Sequence, residues 1–200
     1  MDISKPSFIV GIGGSAGALQ VYKALLDVLP ADTGMAFVII AHMSPDHESL
    51  LAGILRLRTR MPVVQARDAM PIKQNHVYVI APNTDLLIED FAFKVVSPRT
   101  MGSGRHKQVD YFFKSLSEAM GPHAISVILS GYDGDGTEGC LHIKAKGGKT
   151  FAQDLSAEVD SMPLHAQASG CIDFVLPPQK IAEQLTAIGA NFLLESAAPK

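Results

Sequence analysis

Ser15 lies among small residues in the stretch Gly13-Gly14-Ser15-Ala16-Gly17, between an apolar run and a segment with helical periodicity. This pattern predicts a buried strand, a tight turn that carries the serine, and a helix. The stretch matches G-x-S-x-G, the nucleophile elbow, in which small neighbours let a sharp turn expose the serine hydroxyl. Backbone N–H groups and the helix dipole at such a turn favour negative charge that develops on a substrate. The expected chemistry is acyl transfer.

The same stretch also matches the dinucleotide fingerprint G-x-G-x-x-A, over residues 11–16. That motif needs an Asp or Glu at the end of the second strand, where it holds a ribose. The second predicted strand, 35–41, is followed by His42 instead. A histidine can act as a general base because its pKa lies near neutrality, so the pair Ser15 and His42 favours acyl transfer. The turn alone is equally compatible with glycines that only pack a helix on a sheet.

Two aspartates follow a further apolar strand, predicted at 124–129, and either could orient the imidazole of a triad. Asp133 and Asp135 both lie in a glycine-rich turn. Each could instead form an Asx-turn or cap the helix predicted from Thr137. His42 could likewise be a helix cap or a hydrogen-bonded loop residue. Spacing alone does not separate these interpretations.

Strand and helix patterns alternate along the chain. Further strands are predicted at 63–65, 76–80, 149–153 and 172–176, a hairpin at 86–96, and helices at 110–120, 162–168 and 178–188. The alternation predicts an α/β fold with a doubly wound, mostly parallel sheet, helices on both faces and a β-hairpin insertion. We expect one domain over 1–200 with its core at about 7–188, and a tail that frays after Leu194. Because functional groups collect at the C-terminal ends of parallel strands, Ser15, His42 and Asp135 should meet at one sheet edge.

Composition narrows the class of protein. The chain has 200 residues, of which 47% are hydrophobic and 18% charged, as in a globular domain. Its formal charge of -3 gives no electrostatic case for nucleic acid. Apolar runs are too short for a membrane span, and the N-terminus lacks a signal-peptide pattern. Cys140 and Cys171 form no metal or redox motif, so we expect no metal, and we expect both to be buried thiols in a reducing cytoplasm.

Several separate blocks, in this order, resemble the catalytic domain of the CheB-type chemotaxis receptor methylesterases. The resemblance runs from about residue 7 to 185, and its blocks include VGIGGSAGAL, IIAHMSPDHESLL, VYVIAPNTDLLI, VDYFFKSL, VILSGYDGDGTEG and SMPLHAQASGCIDFVLPP. The sequence of residues 31–51 is most similar to that of the methylesterase-like domain that is fused to methyltransferase and sensor modules.

The resemblance implies a Ser-His-Asp triad of Ser15, His42 and Asp135, which selects Asp135 over Asp133. It also implies that the backbone N–H of Tyr132, at a position that is usually methionine, stabilises the oxyanion. We consider the N–H of Ala16 the second donor. The implied reaction is hydrolysis of glutamate γ-methyl esters on a methylated chemoreceptor or other methylated signalling protein. The family can also deamidate receptor glutamines, and it needs no cofactor.

The sequence departs from the family pattern in several places. Ala16 stands where threonine is common, and Glu158-Val159-Asp160-Ser161 lacks the usual glycine before Met162. We expect no receiver domain. These departures motivate an alternative function, a catalytically weak sensory or interaction domain. A nucleotide-binding domain is a further alternative, which the missing ribose acid disfavours.

Overall fold

The computed structural model describes residues 5–41, 50–97 and 107–197. Within these ranges it has nine strands and six α-helices, besides one short 3-10 helix at Gly121–His123. In chain order they are β1 (Ile9–Gly14), α1 (Ala18–Val28), β2 (Ala36–Ala41), α2 (Leu51–Arg56), β3 (Val63–Gln65), β4 (His76–Val79), β5 (Asp85–Glu89), β6 (Ala92–Val96), α3 (Gln108–Met120), β7 (Ala124–Ile128), α4 (Thr137–Ala145), β8 (Lys149–Gln153), α5 (Ser161–Ala168), β9 (Phe174–Leu176) and α6 (Pro178–Ala197).

Seven strands form one parallel sheet in the order β3-β4-β2-β1-β7-β8-β9, and β5 and β6 form a separate antiparallel hairpin. Side chains of the central strands alternate between two cores. Val10 and Ile12 of β1 share one core with buried residues of α1, α2 and α6. Ile9 of β1 and Val38 of the neighbouring strand β2 belong to the second core, with buried residues of α3, α4, α5 and the hairpin. The predicted doubly wound α/β fold with a hairpin insertion is confirmed.

Glycines in β1 allow α3 to lie close to the sheet. A Cβ on Gly13 would come within 2.5 Å of Val109 Cγ1, and one on Gly11 within 2.7 Å of Phe113 Cε1. These distances are shorter than van der Waals contact, so any larger residue would push the helix away. The close approach brings the first turn of α3 to the edge of the sheet at which β1 ends.

We therefore expect Gly13→Ala to destabilise the fold by about 1–3 kcal/mol, since the added methyl group overpacks a full core. Gly53→Ala is a matched control, because a Cβ at this position of α2 meets nothing within 4 Å. Alanine in a helix is about 1 kcal/mol more favourable than glycine, so the control should not lose stability. Urea unfolding of both variants measures the difference. Equal stability of the two variants would contradict the proposed role of Gly13.

The last helix is longer than its sequence pattern predicts. α6 continues to Ala197, so the predicted helix end at 188 and the predicted fraying after Leu194 were wrong. Phe192 explains the extension, because its ring packs edge-on against Phe8 and His123, with both centroid distances at 5.3 Å. Such contacts between distant segments stabilise a helix end beyond its local propensity.

Candidate active site

The order of strands in the sheet reverses beside β1. The chain adds β2, β4 and β3 on one side of β1, and it then crosses over to place β7 on the other side. In open parallel sheets, ligands bind at the carboxyl end of the strands where this reversal occurs. The turn after β1 carries Ser15, and the turn after β7 carries Tyr132 and Asp135. The two turns therefore lie at the point where the strand order reverses.

The two turns are in direct contact at Ser15. The backbone N–H of Ser15 donates a hydrogen bond to the carbonyl oxygen of Ser130, at 2.9 Å. A Cβ on Gly131 would lie 3.1 Å from Ser15 Cβ and 2.6 Å from Met162 Sδ. Glycine is needed here because a larger residue would separate the two turns. Ser15 itself is half-buried.

Two backbone donors in these turns stay available. Among the described residues, the N–H groups of Ala16 and Tyr132 donate to no hydrogen-bond acceptor. Gly17 follows Ala16 with a φ of 74°, a left-handed conformation that favours glycine, and α1 begins one residue later. The Tyr132 side chain is 63% exposed beside these donors.

Asp135 is buried, with 3% of its surface exposed. Its Oδ2 accepts the N–H of Val109 and its Oδ1 accepts the N–H of Asp110, both at 3.0 Å. The first N–H groups of a helix have no partner within the helix, and α3 has no side-chain cap at Lys107. Asp135 thus caps α3 from another turn, where the positive end of the helix dipole favours a carboxylate. The two hydrogen bonds fix the orientation of the Asp135 carboxyl group.

Asp133 has a different environment from Asp135. Its backbone is left-handed, with a φ of 64°, and its Oδ1 accepts the N–H of Asp135 at 3.0 Å. This is the geometry of an Asx-turn. Asp133 is half-buried and shapes the turn, whereas Asp135 points into the protein.

His42 lies outside the described residues. The strand before His42 is described, and its last residue, Ala41, pairs with Gly14 at the end of β1. In the chain, His42 follows Ala41 directly, as Ser15 follows Gly14. Its role as the general base stays a prediction.

Asp110 is a second buried carboxyl group near Asp135, and the sequence did not predict its presence in this region. Its Oδ1 accepts the N–H of Gly139 at 2.8 Å, and its Oδ2 lies 3.3 Å from Lys107 Nζ. Burial raises the pKa of Asp110, and the nearby Asp135 charge raises it further, whereas the Gly139 hydrogen bond and the Lys107 charge lower it. Asp110 thereby ties the first turn of α3 to that of α4. In the sequence it is indistinguishable from an ordinary acid in a first helical turn.

Within the described ranges, no three or more His, Cys, Asp or Glu side chains are grouped so that they could hold a metal ion. No helix in that part of the chain has the length and apolar character needed to cross a membrane. Cys140 and Cys171 are free and buried, as predicted.

A serine on a sharp turn between a strand and a helix of an α/β sheet is the arrangement of the nucleophile elbow in α/β-hydrolases. A sequence model described as CheB methylesterase matches residues 10–185 of this chain. The chain therefore belongs to the CheB methylesterase family, which confirms the resemblance of its sequence blocks. Its fold and family are those of a methylesterase-type hydrolase.

Related proteins and a solved structure agree with this family. The "Protein-glutamate methylesterase/protein-glutamine glutaminase of group 3 operon" of Rhizobium meliloti is 34% identical over 184 residues, which cover 92% of this chain and 52% of that protein. A "Putative protein-glutamate methylesterase/protein-glutamine glutaminase" of Leptospira interrogans is 34% identical over 184 residues, covering 91% of this chain and 95% of that protein. The Thermotoga maritima CheB methylesterase catalytic domain has a TM-score of 0.83 at 28% identity, and the match covers 93% of this chain and 100% of that one. This chain thus spans about half of the Rhizobium relative.

Proposed function

We propose that this chain hydrolyses glutamate γ-methyl esters on methylated chemoreceptors, with Ser15 as nucleophile, His42 as general base and Asp135 as the acid that orients His42. The observation that carries the proposal is the contact between the turns after β1 and β7. The hydrogen bond from Ser15 N–H to the Ser130 carbonyl places the serine beside the turn that carries Asp135. The names of the related proteins supply the substrate class.

The reaction follows from these roles. His42 accepts the proton of Ser15 Oγ as the oxygen attacks the ester carbonyl carbon. The resulting tetrahedral oxyanion accepts hydrogen bonds from the N–H groups of Ala16 and Tyr132, which are preorganised for charge that develops in the transition state. The carbon–oxygen bond to the methoxy group breaks, and His42 returns the proton so that methanol leaves. Water, deprotonated by His42, then attacks the acyl-enzyme and releases glutamate and the free Ser15 hydroxyl.

Alanine at position 16, where threonine is common, is compatible with this mechanism. The proposed oxyanion donor at this position is a backbone N–H, which alanine and threonine both supply. The second part of the relatives' names, protein-glutamine glutaminase, extends the proposal to glutamine side chains. The same acyl-enzyme would form from glutamine, with ammonia as the leaving group in place of methanol.

The test is methanol release from chemoreceptor membranes that carry radiolabelled methyl esters, with Ser15→Ala as the blank. Release by the wild-type chain alone supports the proposal. A serine-reactive fluorophosphonate resolves the other outcomes. If it labels Ser15 but no methanol is released, the chain is a serine hydrolase and the proposed substrate is wrong. If neither occurs, the proposed function is wrong and a sensory or interaction domain takes its place.

A further inference from the structure

Ser130 contacts both ends of the Ser15–Ala16 segment. Its carbonyl oxygen accepts the N–H of Ser15 at 2.9 Å, and its Oγ donates to the carbonyl oxygen of Ala16 at 2.8 Å. Between these two contacts lie the Ser15 side chain and the peptide group that carries the Ala16 N–H. Ser130 is fully buried and follows β7 closely in the chain. One residue outside the serine turn therefore holds that turn from two sides.

The direction of the hydroxyl hydrogen bond can be assigned. Ser130 Oγ accepts the N–H of Val159 at 3.0 Å, so its single proton is left to donate. The Val159 carbonyl is 3.3 Å away but already accepts the N–H of Gly131 at 2.9 Å. The Ala16 carbonyl is nearer, and among the described residues Ser130 Oγ is its one hydrogen-bond donor. The proton therefore goes to Ala16.

Ser130 is itself anchored in the sheet. Its N–H donates to Gln153 Oε1 at 3.0 Å, and Gln153 is a buried residue at the end of β8. The serine turn has one backbone hydrogen bond of its own, from the N–H of Ala18 to the carbonyl oxygen of Ser15 at 3.2 Å. Ser130 thus connects this turn to a strand of the sheet.

We propose that Ser130 is a positioning residue for the oxyanion site, and this inference rests on the proposed function. Its hydroxyl fixes the Ser15–Ala16 segment so that the Ala16 N–H faces the same substrate oxygen as the Tyr132 N–H. Tyr132 is two residues after Ser130, so the same residue sets the spacing of both donors. Preorganised donors stabilise the transition state more than the bound substrate, so the loss of this contact should act on kcat and not on KM.

Ser130→Ala is expected to lower kcat about 10- to 100-fold, which is less than the 10²–10³ lost with a whole oxyanion donor. KM should stay within about twofold of wild type, since ground-state binding is not touched. Ser130→Thr keeps the hydroxyl and should restore most of the rate. Ser126→Ala is the matched control, because Ser126 is buried in β7 and its hydroxyl contacts Cys140 Sγ at 3.2 Å. This control should leave kcat unchanged.

Amide hydrogen exchange tests the same contact without any substrate. Peptides that cover 13–19 and 157–162 should exchange faster in Ser130→Ala than in wild type and in Ser126→Ala, at a temperature at which every variant is folded. Unchanged exchange, an unchanged kcat, or an equal loss of kcat in Ser126→Ala would each overturn the proposed role of Ser130. Absence of methanol release by the wild-type chain would instead reject the proposed function and with it the oxyanion role of Ser130, and the exchange result would then test only whether Ser130 holds the serine turn.

Discussion

Replacing Ser15 with alanine is expected to lower kcat for methyl-ester hydrolysis by about 10⁶-fold, the cost of removing the nucleophile of a serine triad. Without the Ser15 oxygen no acyl-enzyme can form, and the oxyanion donors alone give only residual catalysis. The fold should be retained, because alanine keeps the backbone N–H that bonds to the Ser130 carbonyl. The free energy of unfolding should change by less than about 1 kcal/mol. The methanol assay and urea unfolding measure the two effects.

A second serine provides the control for this variant. Ser7 is half-buried like Ser15, but its hydroxyl donates to the Gly34 carbonyl at 3.0 Å and it lies just before β1, at the opposite end of that strand. Ser7→Ala should therefore keep the wild-type kcat. A Ser15→Ala variant that stays within about tenfold of wild type would rule out Ser15 as the nucleophile.

Replacing Asp135 with asparagine is expected to lower kcat by about 10⁴-fold, because in the proposed triad an amide cannot hold His42 in the tautomer that a general base requires. The change also affects stability. Both carboxylate oxygens accept N–H groups of α3, from Val109 and Asp110, and asparagine has only one acceptor oxygen. One buried N–H would then face the amide NH₂ group, at a cost of about 1–3 kcal/mol. Rates should be measured at a temperature at which the variant is fully folded.

Asp133→Asn is the matched control for Asp135→Asn. An asparagine at 133 can still accept the N–H of Asp135 through its Oδ1, so the Asx-turn is kept. We expect a much smaller loss of kcat and little loss of stability. Equal losses of kcat in the two variants would contradict the assignment of the triad acid to Asp135.

Much of the fold could be predicted because the sequence patterns of its strands, turns and helices involve only neighbouring residues. The apolar run of β1, its glycines and the periodic segment of α1 lie within twenty consecutive residues, and each pattern has the period of its element. The hairpin of β5 and β6 is local too, and Asp90 and Phe91 take the positive φ values of 49° and 60° at its turn. The serine turn was predicted for the same reason.

The start of α3 was predicted two residues too late, because its cap is not local. The structure begins this helix at Gln108 and not at 110, since Asp135 supplies acceptors to the N–H groups of Val109 and Asp110 from a distant turn. The extension of α6 to Ala197 likewise depends on the ring contacts of Phe192. Neither partner can be read from the neighbouring sequence.

The sequence by itself determined the α/β class and the serine turn, because periodicity and motif spacing are properties of the chain. The three candidate triad positions came from its resemblance to the CheB-type methylesterases, since spacing alone left both Asp133 and Asp135 open. The different environments of Asp133 and Asp135 were decided only by tertiary structure. The same is true of the hydrogen bonds that connect Ser130 to the serine turn. The environment of Asp135 depends on the packing of α3 beside the turn after β7. The Ser130 contact depends on β7 pairing with β1, two strands that are more than a hundred residues apart in the chain. A hydrogen bond across such a separation exists only once the sheet has formed, so no local pattern records it.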